Sequence, residues 1–156
     1  MTDLETQSIR AKILQAIGDR CQSLLVKLPS GKWADAQVFW GRQSLDPEEL
    51  PAGVVTPEPE TGERTFDSDE LTMPVTISLA CLLGNDNAVD LAESLLAELR
   101  RQVPLDDETL DGLAKEIRYV GGGTSDYPER DDQSLVVTAT FEIDYATAAN
   151  NPEESI

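Results

Sequence analysis

Two rhythms of apolar residues divide this chain, one recurring every three or four positions and the other every second position. Near the start, Ile9, Ile13, Ile17, Cys21 and Leu24 fall on one stripe that Leu14 and Leu25 widen. That spacing predicts an amphipathic helix from Thr6 to Val26. Thr6 or Asp3 can cap it, Pro29 and Gly31 punctuate its end, and Gly18 weakens it by about 1 kcal/mol relative to alanine. A second stripe, Val89, Ala92, Leu95, Leu96, Leu99 and Val103, predicts a helix that Asn85 or Asp86 can cap. Arg100 and Arg101 suit its C-terminal dipole, and Pro104 stops it.

The two-residue rhythm is clearest in Met73, Val75, Ile77, Leu79, Cys81 and Leu83, opposed by Thr72, Thr76 and Ser78. It returns in Leu135, Val137, Ala139, Phe141, Ile143 and Tyr145, opposed by Val136, Thr138, Thr140, Glu142 and Asp144. Shorter strands are expected from Asp35 to Arg42, from Leu50 to Thr56 and from Glu116 to Val120, the last ending in Gly121-Gly122-Gly123. Leu105 to Ala114 reads as a turn and a helical stub. Prolines, Gly62 and repelling carboxylates between Thr56 and Glu70 favour a projecting loop or ragged hairpin. A second polar loop runs from Thr124 to Ser134.

Single-striped helices and strands with one apolar face call for helices on one side of a sheet, the other side exposed or used in assembly. The expected fold class is therefore α+β: a single mostly antiparallel or mixed sheet of four to five strands with two main helices packed on one face. One domain over residues 1–147 is expected, followed by a flexible acidic tail over 148–156; 156 residues suit one core better than two.

Composition narrows the chemistry. Twelve basic residues against thirty acidic ones give a formal charge of −18, which opposes counterion-releasing attachment to nucleic acid. The first residues lack the basic and apolar regions of a secretory signal, and no apolar run is long enough to span a bilayer, so a soluble, cytosolic protein is expected. Cys21 and Cys81 form no CxxC motif and sit at apolar positions, which reads as two buried thiols.

The sequence contains no histidine, which removes His-dependent acid–base catalysis, Ser–His and Cys–His nucleophile pairs and imidazole metal sites. The stretch Gly121 to Ser125 lacks the lysine and the following helix of a phosphate loop, so a flexible turn is expected. Asp67, Asp69 and Glu70 carry the oxygens a hard cation prefers but not the spaced ligands of an EF-hand. They read as a solvated acidic loop, with an interfacial cation or an intersubunit arginine pair as the sharper alternative; Asp126, Asp131 and Asp132 read the same way.

The order of elements, with two local stretches, resembles the lambda-type phage tail terminators known as minor tail protein U. One stretch is Phe66-Asp67-Ser68-Asp69 leading into the strand from Met73 to Leu83. The other is Tyr127-Pro128-Glu129-Arg130-Asp131-Asp132 leading into the strand through Tyr145. Gly41-Arg42 and Pro51-Ala52 also fit that pattern, and the resemblance runs from about Ile9 to Tyr145. The longer stretch between Arg42 and Pro51 and the acidic residues after Tyr145 depart from it. What the resemblance implies is a structural virion protein without catalytic residues, cofactor or metal. It would form a hexameric ring at the head-proximal end of the tail tube, stop tube polymerisation and present a surface to the neck or head-completion protein. Its partners would be copies of itself, the tube protein and the neck protein, with DNA only a repelled, passing polymer.

A cyclic assembly needs two different patches on each subunit. Arg42, Arg64 and Arg130 are expected to face neighbouring subunits and pair there with Asp67, Asp69 or Asp131. Two other readings stand beside this one: another neck or adaptor protein of the same particle, and a small metal-dependent enzyme using Asp67 and Asp69.

Overall fold

The computed structural model describes residues 7–27, 32–42, 45–84, 87–104, 109–124, 126–130 and 133–155. Its centre is a pair of 15-residue strands, β6 (Ser68–Leu82) and β8 (Ser134–Ala148), antiparallel and in unbroken register from Ser68 opposite Ala148 to Leu82 opposite Ser134. Both apolar sets predicted by alternation land on one face. Met73, Val75, Ile77, Leu79 and Cys81 of β6 and Leu135, Val137, Ala139, Phe141, Ile143 and Tyr145 of β8 are all buried.

Seven strands form the main sheet, more than the four to five expected, in the order β3 (Gln37–Trp40), β4 (Ala52–Pro57), β6, β8, β7 (Glu116–Gly123). β5 (Thr61–Arg64) also pairs with β6, and β9 (Asn151–Ser155) with β8. β3 and β4 run parallel and every other pair is antiparallel, so the sheet is mixed. β4 and β5 act as one long partner of β6 whose register shifts by one residue across Glu58–Glu60: Pro57 faces Val75, but Thr61 faces Thr72. A separate two-stranded hairpin, β1 (Leu25–Lys27) with β2 (Trp33–Asp35), was not expected.

α1 (Ile9–Cys21) and α2 (Ala88–Gln102) supply the helical layer. Ile9, Ile13, Ile17 and Cys21 of α1 join Leu91, Leu95 and Leu99 of α2 in one core with the inner face of the sheet. The cap of α1 is Ser8, whose side chain accepts from the Ala11 amide at 3.1 Å; Thr6 and Asp3 lie outside the described residues. The helix also ends five residues before Val26. Buried Leu24 and Val26 suit a strand's two-residue spacing as well as a helical stripe; Val26 lies in β1, and the Leu24 carbonyl just before it accepts from the Ala36 amide at 2.9 Å. For α2 the cap is Asn87, whose side chain accepts from the Val89 and Asp90 amides at 2.9 and 3.1 Å, while Asn85 and Asp86 lie outside the described residues. Its C-terminal end is held from α1, since Arg20 donates to the Val103 carbonyl at 2.6 Å.

Three further expectations are corrected. Residues 109–114 form turns rather than a helical stub, because Leu110, Asp111 and Gly112 have positive φ of 52°, 59° and 87°. Gly121–Gly123 belong to β7 and pair with Thr138–Thr140 rather than forming a flexible turn. A Cβ on Gly122 would sit 2.4 Å from the Thr138 carbonyl oxygen, so close backbone approach is what requires glycine there. The expected tail begins with β8 running on to Ala148. The chain then reverses at Asn150, in left-handed backbone (φ 61°), and returns as the exposed strand β9.

Gly18 also gains a reason. An added Cβ would lie 2.4 Å from Cζ2 of Trp40, whose ring rests on α1. Alanine gains about 1 kcal/mol of helix propensity, but overpacking costs about 1–3 kcal/mol. Gly18→Ala is therefore expected to lower stability in urea unfolding, and Trp40→Ala to remove that penalty in a double-mutant cycle; a more stable Gly18→Ala protein would contradict the packing.

Candidate assembly surfaces

The ribbon of β5 and β6 closes through Thr65, Phe66 and Asp67. Thr65 donates its amide to the Ser68 carbonyl at 2.9 Å, which leaves Phe66 and Asp67 at the apex. Phe66 is fully exposed, at 102% of the reference area. Among the described residues the Asp67 carboxylate has no hydrogen bond or ion pair, although its carbonyl accepts from the Ala149 amide at 3.0 Å.

Charged groups brace this tip. Arg64 Nε donates to Asp69 Oδ1 at 2.6 Å and Arg64 Nη2 to the Asn150 side chain at 2.6 Å, while the Asn150 amide donates to Asp69 Oδ2 at 3.1 Å. The Arg64 guanidinium, followed by the Asn150 amide, holds the Asp69 carboxyl below its ordinary range. The expected pairing of Arg64 with Asp69 across a subunit boundary is thus corrected to a bridge within one chain, tying the β5–β6 turn to the β8–β9 turn. On the helix side of the ribbon, Arg10 of α1 donates to Glu60 at 3.0 Å and to the Glu58 carbonyl at 2.9 Å, and the Tyr145 hydroxyl donates to Glu60. Burial, and then Glu60, push the Tyr145 hydroxyl pKa up.

The face of the sheet opposite the helices carries a second charged group of residues. Arg118 of β7 donates to Glu142 at 3.0 Å, to Glu116 at 3.3 Å and to both oxygens of Asp144, while the Thr72 hydroxyl donates to Asp144 at 2.9 Å. Arg118 holds the Asp144 carboxyl well below the ordinary range. Nearby, Lys115 pairs with Glu70. The alternation of β7 and β8 puts Glu116, Arg118, Glu142 and Asp144 on one face, a signal legible from residue order that the reading of the sequence did not use.

At the far end of β6, the same face holds a groove of about 220 Å³. The connection between β3 and β4, including a 3-10 turn at Pro47–Glu49, brings Leu45 and Leu50 against Val54, Ala80 and Val136. Arg42 stands at the rim, its two terminal nitrogens on the two Glu49 oxygens at 2.5 and 2.8 Å and its guanidinium 4.5 Å from the Phe39 ring centre. Glu49 and its backbone contact at Asp46 were not foreseen as partners.

The remaining predicted residues separate. Asp69 points to the helix side of β6 and Glu70 to the opposite side, where each meets its own cation, so Asp67, Asp69 and Glu70 do not converge. No group of three or more acidic or cysteine side chains placed to hold a metal occurs among the described residues. The Arg130 amide donates to the Gln133 side chain at 3.0 Å. Asp131 and Asp132 lie outside the described residues. No helix among the described residues is long and apolar enough to cross a membrane. No protein-family model matches the chain, and a search of curated proteins finds no match.

Two outcomes follow from these environments. The Asp144 carboxyl is depressed in the folded chain, so its contribution is present above its ordinary value of 3.8 and is lost as pH falls through the lower folded value. Because Arg118 is partly exposed, Arg118→Met should cost less than about 1 kcal/mol at neutral pH. The difference from wild type in chemical unfolding should close on acidification below about pH 4; a difference independent of pH would exclude the assigned cause. Separately, desolvation pushes the Cys21 thiol up to about 12 from 9.0. That lowers its thiolate fraction about a thousandfold, so Cys21 should resist iodoacetamide in the folded protein and react on unfolding, as read by mass spectrometry.

Proposed function

We propose that the chain is a structural subunit of a long-tailed bacteriophage: a tail terminator that assembles as a ring, six-membered by its likeness to that family, at the head-proximal end of the tail tube. In this role it stops tube polymerisation and offers the neck or head-completion protein a joining surface. The observation that carries the reading is the braced ribbon ending in a wholly exposed Phe66. A large aromatic side chain standing in water on a braced turn gains nothing for a lone subunit, and its burial against another protein is worth on the order of 1.5–3 kcal/mol.

Several other features agree with a structural role. The protein is helix-covered on one face of its sheet and carries its apex and its groove at opposite ends of β6, which supplies two unlike patches for cyclic contacts. The charge of −18 suits a passage through which DNA must slide, since carboxylates repel phosphates where lysines or arginines would hold them. Asp67, Asp69 and Glu70, the best candidates for a hydrolytic metal centre, are directed to different surroundings.

Light scattering at micromolar concentration should give a multimer of uniform mass, and tails assembled without the protein should appear in micrographs as tubes of irregular, excessive length. Association between such acidic copies should strengthen as salt rises from about 10 to 150 mM, because the Debye length shortens from about 30 to 8 Å. A chain that remains monomeric throughout, with tails of normal length in its absence, would refute the assignment.

A further inference from the structure

We infer that the apex of the β5–β6 ribbon docks into the groove beside Arg42 on a second copy of the same chain, with Phe66 in the apolar recess and Asp67 against the guanidinium. The inference rests on the ring reading above and names the contact that would build it. The groove is lined by Leu45, Leu50, Val54, Ala80 and Val136, with Ser78, Ser134 and Arg42 completing it, and has a volume of about 220 Å³. An apolar cavity of about 150 Å³ accommodates benzene, so one phenyl ring fits.

No carboxylate lines this recess, unlike its neighbours, although the Glu49 that pairs with Arg42 stands beside it. The apex presents a carboxylate at Asp67 with no partner among the described residues, and the groove presents Arg42 at its rim. The recess between α1 and β3 has Asp19 in its lining, and the one beside Lys115 has Glu63, Glu70 and Asp144; both would repel an acidic apex. Arg42 is also held in place, since Glu49 grips it at two points and Phe39 lies beneath it. With the apex turn braced by Arg64, Asp69 and Asn150, its backbone is ordered before the two copies meet, which lowers the conformational entropy lost on association.

Geometry requires the occupant to come from another copy. Phe66 precedes β6, whereas Ser78 and Ala80 of the groove lie 12 and 14 residues later on the same side of that strand. At about 3.3 Å per residue the two are roughly 40 Å apart, and β6 is paired along its whole length with β8. The chain cannot fold back to fill its own groove. A contact between two unlike patches repeats from copy to copy and either closes a ring or propagates.

The test uses the full chain with two exposed substitutions, Phe66→Glu at the apex and Val136→Glu in the groove, by mass photometry and light scattering. Phe66 is fully exposed and Val136 is 43% exposed, so both variants should keep wild-type circular dichroism and thermal unfolding, which verifies folding. Each alone should remain monomeric at concentrations where wild type assembles, shifting half-assembly upward by at least about tenfold. An equimolar mixture should give dimers and nothing larger, because it restores one intact apex and one intact groove. Phe66→Glu assembling as wild type does, or folded monomeric variants that never dimerise on mixing, would overturn the docking while leaving the ring itself standing. A wild type that never associates would remove both. A Phe66→Glu protein that still forms the multimer but no longer binds the tube would assign the apex to the tube protein and refute the self-contact.

Discussion

The architecture depends on a single register, the fifteen paired residues of β6 and β8. Alternation along a strand has a period of two, so a slip of β6 by one residue would carry Met73, Val75, Ile77 and Leu79 to the open face and bring Thr72, Thr76 and Ser78 into the core. The match of two apolar sets, both facing α1 and α2, makes that slip too costly to occur. Once the pair is fixed, its length determines the rest. β4 and β5 must bend once, at Glu58–Glu60, to follow β6 to its end, and that end is where the exposed apex stands.

The long strands and both helices were legible because each repeats one signal many times. Six apolar residues at alternate positions in Met73–Leu83 and six in Leu135–Tyr145 leave little room for another reading. Boundaries were less legible because they depend on single contacts. Ser8 caps α1 by one hydrogen bond that Thr6 or Asp3 had equal chemical title to, and Leu24 with Val26 fits either periodicity until β2 supplies a partner. The tail was misjudged because its reversal depends on Asn150, which is held by Arg64 and Asp69, residues more than 80 positions away. Nothing in Ala-Asn-Asn-Pro-Glu-Glu announces those partners. Gly18 read as a weakness and Gly122 as part of a flexible turn for the same reason: Trp40 and the Thr138 carbonyl, which crowd them, are distant in sequence.

The candidate surfaces followed a similar rule. Residue type alone selected Arg42, Arg64, Asp67 and Asp69 as able to cross a subunit boundary, since arginine and carboxylate form the most directional ion pairs. Residue type could not tell a bridge that braces a turn from one that joins two chains. Arg64 and Asp69 proved to be the former. Arg42 already holds Glu49 yet still lines an open recess, and Asp67 stands at the apex with its carboxylate uncommitted. Phe66 entered the reading only as part of a motif, because exposure is a property of the fold and not of the residue.

An excess of carboxylates limits how such a chain can recognise a copy of itself. Many of its few cations are committed internally: Arg10 to Glu60, Arg42 to Glu49, Arg64 to Asp69, Lys115 to Glu70 and Arg118 to three carboxylates. The field felt at a distance is therefore the unpaired remainder, which is negative, and two approaching copies repel. Broad electrostatic complementarity cannot drive their association. What can is a small, dry, apolar contact whose attraction acts only at contact range and is indifferent to ionic strength, with a guanidinium at its edge to satisfy the carboxylate that arrives with it. An exposed aromatic apex on a braced turn meets that requirement with little surface, and it leaves the remaining acidic face free to repel a phosphate backbone.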